Sequence, residues 1–233
     1  MLGYNMFAYC NNNPIIFADD NGYIRSYAVT LTDGGGKSDI ARDKENANAG
    51  QVAGTAVPEK YIHRQNDEEL INGVKMSDIS FGFGNISDNG CGVIAAYNIL
   101  ITWDSDITFH RVKCDIMLCG GLLAGGLLGT EPLSLFEYML WKCGFATIST
   151  DTSKWVDIAN RCDAVIVLTQ NGWTMHYFAR IKQSDGSYIF YNSFLADSNG
   201  DIDFRSMSID DLLLCIANKD KTPVLMIGVD KIY

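Results

Sequence analysis

The chain has 233 residues, 47% of them hydrophobic and 20% charged, a composition that excludes a disordered or fibrous protein and suits one sizeable domain or one domain with an appendage. Its 28 acidic against 18 basic side chains leave a net formal charge of −10 at pH 7. That balance argues against a nucleic-acid partner, because neutralising phosphates takes clustered Lys and Arg.

Residues 1–31 open the chain with aromatic and β-branched residues around two turn signals, Asn11-Asn12-Asn13-Pro14 and Asp19-Asp20-Asn21-Gly22, and short strands are expected there. From 32 to 60 the sequence turns to Gly, Ala, Asn, Asp and Lys with almost no large apolar residue. Such a stretch buries too little surface to offset its ordering entropy, so it reads as a linker.

Hydrophobic periodicity resumes near Tyr61, and the compact domain is expected over 61–233. Within it the pattern predicts helices over 90–100 and 133–143, the second with Leu135, Phe136, Met139, Leu140 and Cys143 on one face and Gly144 past its end. Segments with strand character follow at 164–169, 176–181, 188–194 and 223–229. Between the last two, a helix over 209–216 is capped by Ser208 with Asp211 three residues on. Helices first and antiparallel strands after them predict an α+β domain, with a helical part packed on an antiparallel sheet.

The cysteines Cys10, Cys91, Cys114, Cys119, Cys143, Cys162 and Cys215 are odd in number and scattered through apolar runs, so free thiols and a reducing compartment are expected. The longest apolar run, around Ile116 to Leu128, is short and broken by glycines. It predicts neither a membrane span nor an export signal, and the chain as given reads as cytoplasmic.

Cys91 falls in the first turn of the predicted helix, behind Asp88, Asn89 and Gly90. The unpaired N–H groups and positive dipole end of a helix favour the nucleophilic thiolate there, although Asp88 opposes it. The plain alternative is a small buried hydrophobe. Of the three histidines, His176 opens a strand, and the turn at Ser184-Asp185-Gly186 returns the chain so that Asn192 falls roughly opposite it. A partner on one imidazole nitrogen fixes the tautomer that leaves the other free to take the thiol proton, and Asn192 can serve as that partner.

Cys-Gly at a helix start, a His leading a hydrophobic strand, then an Asn after a hairpin resembles the papain-like cysteine peptidase superfamily, closest to the bacteriocin-processing, double-glycine-leader peptidases and their relatives. The resemblance covers roughly 81 to the C-terminus, in motif order and spacing. It implies a papain-like fold, a Cys91-His176-Asn192 triad and acyl transfer, with an oxyanion hole built from the Cys91 N–H and a side-chain amide. The family takes that amide from a Gln shortly before the nucleophile. Here Asn85 stands in the matching place, one methylene shorter, with Asn89 as a nearer alternative.

The segment Tyr4-Asn5-Met6-Phe7-Ala8-Tyr9-Cys10-Asn11-Asn12-Asn13-Pro14, followed by Asp19 and Gly22, is similar to the closing signature of the core domain of bacterial RHS (YD-repeat) proteins, with Asp20 where that family has Pro. That resemblance implies that 61–233 is a variable C-terminal module, often a toxin, secreted within a larger RHS-type protein and countered by an immunity or inhibitor protein. The expected activity is a cysteine hydrolase acting on a peptide or protein substrate. A protein amidase or deamidase is a variant of the same chemistry, and a catalytically inert papain-like binding module is the reading from another class. No cofactor and no metal are expected: His110, Cys114 and Cys119 lack a second ligand pair. The glycines from Gly120 to Gly129 lack a phosphate-loop ending and read as close helix packing or as a mobile loop beside the cleft. Trp173 and Met175 are candidates either for a pocket lining or for buried packing.

Overall fold

A computed structural model describes residues 61–66, 68, 70–193 and 208–231, together with a short antiparallel pair of strands, Phe17–Ala18 (β1) and Ser26–Tyr27 (β2). The expected linker at 32–60 lies outside the described residues, as does the rest of the 1–31 segment.

The described body opens with two tight hairpins, Leu70–Ile71 (β3) with Val74–Lys75 (β4) and Ser80–Phe81 (β5) with Gly84–Asn85 (β6). The first turns through Asn72 and Gly73, both left-handed at φ 52° and 81°, the residue pair such a turn demands. A short helix, Ile86–Asn89 (α1), leads through Gly90 into Cys91–Trp103 (α2). Phe109–Leu118 (α3) and Pro132–Cys143 (α4) follow. Next come Gly144–Ser149 (β7), Trp155–Arg161 (α5), Ala164–Asn171 (β8), Thr174–Lys182 (β9), Tyr188–Tyr191 (β10), Ile209–Asn218 (α6) and Thr222–Lys231 (β11).

Five strands form one sheet in the order β10-β9-β8-β11-β7, every neighbouring pair antiparallel. The domain is α+β, as the order of sequence patterns predicts. The caps act where expected: Ser208 accepts from the Asp211 N–H at 3.1 Å, and Gly144 ends α4 in the left-handed region at φ 83°.

Helices cover both faces of the sheet, where the sequence reading expects a single helical part. The cause lies in the strands. Ala164, Ile166 and Leu168 of β8, with Tyr177, Ala179 and Ile181 of β9, face α2, α3 and α4 in the larger core. Their alternates Val165, Val167 and Phe178, with Met226, face the other way and pack with Trp155, Ile158, Leu212 and Ile216 of α5 and α6. Leaving such side chains in water would forfeit about 1.5–3 kcal/mol each, so the second face needs its own cover.

Besides the short strands β3 to β6 and helix α1, three elements escape the sequence reading. The apolar stripe of α3 is interrupted by Lys113 and Asp115, which are nonetheless buried. Lys113 Nζ donates to the Ser80 carbonyl at 3.2 Å, and Asp115 pairs with Arg111 at 2.8 Å and Lys142 at 3.1 Å. Helix α5 is only seven residues long. Strand β7 is an edge strand that pairs only with β11 and leaves Phe145 and Ile148 exposed.

Of the glycines after Cys119, Gly121 packs closely on α3, where a Cβ would meet Ile116 at 2.4 Å. The segment folds into a loop closed by a bridge between Leu122 and Thr130 and laid against the β5–β6 hairpin. A Cβ on Gly126 would come within 2.2 Å of the Phe81 carbonyl oxygen, so the two backbones approach as only glycine permits. No helix among the described residues is long and apolar enough to cross a membrane.

Candidate functional site

Cys91 is the first residue of α2, with Gly90 as the cap residue. Its neighbour must be glycine, because a Cβ on Gly92 would stand 2.6 Å from the Thr130 side chain. The end of the glycine loop is thereby pressed onto the start of α2. Tyr177 ties the same corner to the sheet by donating its hydroxyl to the Thr130 carbonyl at 3.2 Å.

The backbone N–H groups of Tyr177 and Gly92 point at the Cys91 sulfur and draw its pKa down, but burial outweighs them and pushes the thiol above its ordinary 9.0. The sulfur is therefore beside the peptide unit that joins His176 to Tyr177. Here the expectation of a ready thiolate at a helix N-terminus is corrected. Cys91 is 6% exposed, and removing a charge from water costs more than a helix end returns.

His176, half-buried on β9, faces Asn192 as the hairpin register allows, but through a different atom from the one expected. The partner of Nε2 is the main-chain carbonyl oxygen of Asn192, at 2.6 Å, not the side-chain amide. A carbonyl only accepts, so Nε2 carries the proton and the neutral ring keeps its lone pair on Nδ1. Burial holds the His176 pKa below its ordinary 6.5, partly offset by the Asn192 carbonyl and reinforced by the Lys221 charge.

Asn192 sits just past the end of the β9–β10 ladder, whose last pair is Tyr191 with Ala179. Its backbone is left-handed, φ 58°, a region Asn tolerates better than most residues. The side chain caps what the ladder leaves open: Nδ2 donates to the Tyr177 carbonyl at 3.3 Å and to Gln65 Oε1 at 3.5 Å.

Asn85 lies apart from these atoms in its bonding. It caps α1, its Oδ1 accepting from the Asp88 N–H and its Nδ2 donating to Asp88 Oδ2, both at 2.9 Å. The Asn89 amide nitrogen, oriented to satisfy its neighbours, donates to the carbonyls of Leu127 at 3.2 Å and Asp88 at 3.3 Å. Both amides are thus engaged locally.

An open groove of about 350 Å3 runs past His176 and Asn192 and is lined further by Arg64, Gln65, Ser87 and Asp88. Cys91 is not among its lining residues. Arg64 and Gln65 belong to a strap, residues 61–66, that sequence reasoning did not connect with the site. The strap is anchored by Asn98 of α2, buried and bonded twice to Ile62, Oδ1 to the N–H and Nδ2 to the carbonyl, each at 2.8 Å. An asparagine buried on an apolar helix is the sequence signal that would have marked it.

Protein-family models, curated proteins and solved structures offer no match to this chain.

Trp173 stands fully exposed at the turn between β8 and β9, whereas Met175 packs against the larger core. Among the described residues no three His, Cys, Asp or Glu side chains gather as a metal site, and the six described cysteines are free thiols.

Proposed function

We propose that this chain is a cysteine hydrolase of papain-like fold that cleaves a peptide or protein amide, with Cys91 as nucleophile and His176 as base. The observation that carries the reading is the His176 Nε2 contact with the Asn192 carbonyl, on the residue whose following N–H points at the Cys91 sulfur. An imidazole held this way presents Nδ1 as a base and keeps the tautomer through the reaction.

In the proposed cycle both groups rest neutral. Substrate entering the groove displaces water, the thiol proton passes to Nδ1, and the sulfur attacks the amide carbonyl carbon. Oxyanion stabilisation is assigned to main-chain N–H groups at the start of α2, the Asn89 amide donating instead to the carbonyls of Leu127 and Asp88. The imidazolium returns its proton to the leaving amine as the C–N bond breaks. Water, deprotonated by the same ring, then releases the acid from the acyl-enzyme. The substrate is a peptide or protein; with a side-chain amide in place of a backbone one, the same steps release ammonia. The setting proposed is the C-terminal effector module of an RHS-type protein, with an immunity protein as partner.

One observation favours the inert binding module: Cys91 is buried and does not line the groove. The two readings separate on product. Digestion of a peptide mixture should give new amino termini, or ammonia if a side-chain amide is the target, and Cys91→Ala should abolish either. No product from the wild-type chain, with peptides still retained by it, would favour the module.

A further inference from the structure

We propose that the strap, residues 61–66, is a positioning element of the site, in which Gln65 and the His63 carbonyl hold Asn192 so that its own carbonyl faces His176 Nε2. This inference rests on the hydrolase reading, in that the group positioned is the proposed base.

The sheet itself does not fix Asn192. The β9–β10 pairing stops at Tyr191, so the Asn192 N–H gains no ladder partner and donates instead to the His63 carbonyl at 2.9 Å. On the side-chain side, Nδ2 reaches Gln65 Oε1 at 3.5 Å as well as the Tyr177 carbonyl. Rotation about the left-handed Asn192 backbone would swing the carbonyl away from the imidazole, and the strap supplies two of the contacts that oppose it.

The strap is itself held along its length. Asn98 grips Ile62, the Tyr61 ring stacks on Tyr191 with centroids 4.8 Å apart and 20° between planes, and Gln65 Nε2 donates to the Ile86 carbonyl at 2.8 Å. The last bond commits the Gln65 amide nitrogen to α1. Gln65 therefore acts as a tie between α1 and Asn192, and it is a positioning residue.

The test reads the base directly, by 15N and 1H NMR of the full chain labelled at histidine, beside kcat and KM on a cleaved peptide. In the wild type His176 should be the Nε2–H tautomer with a pKa below 6.5. Gln65→Ala should give a mixture of tautomers and a kcat lower by about tenfold, with KM changed less. Gln65→Glu, which keeps an acceptor for Asn192 Nδ2 but loses the bond to the Ile86 carbonyl, should restore the Nε2–H form only in part. A His176 signal unchanged in Gln65→Ala would overturn the proposal whatever the rate does, because a rate loss alone would mark Gln65 as a substrate contact. A wild-type chain that hydrolyses nothing, with the tautomer still sensitive to Gln65, would defeat the hydrolase reading and leave the strap's role standing.

Discussion

The face of the sheet that carries α2, α3 and α4 and the face that carries α5 and α6 are built from alternate residues of the same strands, yet they treat polar groups differently. On the α2 face, apart from Lys113 and Asp115 of α3, buried polar groups form a chain of contacts that ends on the proposed base: Asn98 to Ile62, the His63 carbonyl to Asn192, and the Asn192 carbonyl to His176. On the other face Arg180 is buried, Nη1 donating to the Ala159 carbonyl at 3.3 Å while the guanidinium lies 3.2 Å from the Tyr188 ring centroid. Those contacts solve a local burial problem and lead nowhere. The difference teaches that substitutions near the strap should reach activity before stability, and those under α5 and α6 the reverse.

The largest effect tests the active face. His176→Ala should lower turnover by roughly 10⁴-fold and leave the thermal midpoint within a few degrees, because the half-buried ring contributes orientation and proton transfer more than packing. Equal losses in initial rate and in melting temperature would make His176 a packing residue.

Phe178→Ala probes the opposite face. Its ring is fully buried among α5, α6 and β11, and its removal should cost about 3–5 kcal/mol in urea unfolding. The kcat per folded molecule should stay near the wild-type value. A kcat that collapses in parallel would couple the two faces and break the contrast.

A smaller effect is expected at Asn192, where the partner of His176 is a main-chain atom. Asn192→Gly keeps the carbonyl and accepts φ 58°, so kcat should fall less than about tenfold, whereas Asn192→Val strains that backbone and should lose roughly a hundredfold. Equal losses in the two variants would return the orienting role to the side-chain amide.

The smallest effects lie in pH dependence. The folded His176 pKa is depressed below 6.5, so its contribution to stability is present above 6.5 and is lost as pH falls through the lower folded value. The Cys91 pKa is raised above 9.0, so the contribution of the thiol is present below 9.0 and is lost as pH rises through the folded value. A mechanism that needs neutral imidazole and thiol should then hold kcat/KM level from below 6.5 to above 9.0. A rising limb between those values would mean that a required group loses its proton within that range, which a resting pair of neutral imidazole and thiol does not do.

Much of this was legible in the sequence where local chemistry decides. Ser208 with Asp211, Gly144 and the Cys91-Gly92 start are caps and turns whose physics acts within a few residues, and α6, α4 and α2 lie where those signals put them. The continuous apolar run from Ala164 to Leu168 also signals cover on both faces, since a strand apolar at every position is buried on both sides, but the sequence reading takes it for a strand with helices on one side. Helix α3 was hidden because Lys113 and Asp115 imitate a solvent face, and only tertiary partners reveal that they are buried. At the site, residue types and hairpin spacing brought His176 to Asn192, but no pattern of side chains tells which atom of Asn192 turns inward; that follows from a ladder ending at Tyr191 and a positive φ. Gln65 was passed over because sequence reasoning looked just upstream of Cys91, whereas the strap reaches the groove from 26 residues earlier in the chain, 91 − 65.

The central claim, that His176 activates a buried Cys91, is tested most directly by intact-mass measurement after reaction with an activated peptide ester at neutral pH. The account predicts a single acyl adduct that peptide mapping places on Cys91, absent from the His176→Ala chain under the same conditions. Adducts on Cys114, Cys119 or Cys215 with Cys91 unmodified, or acylation of Cys91 at the same rate without His176, would contradict it.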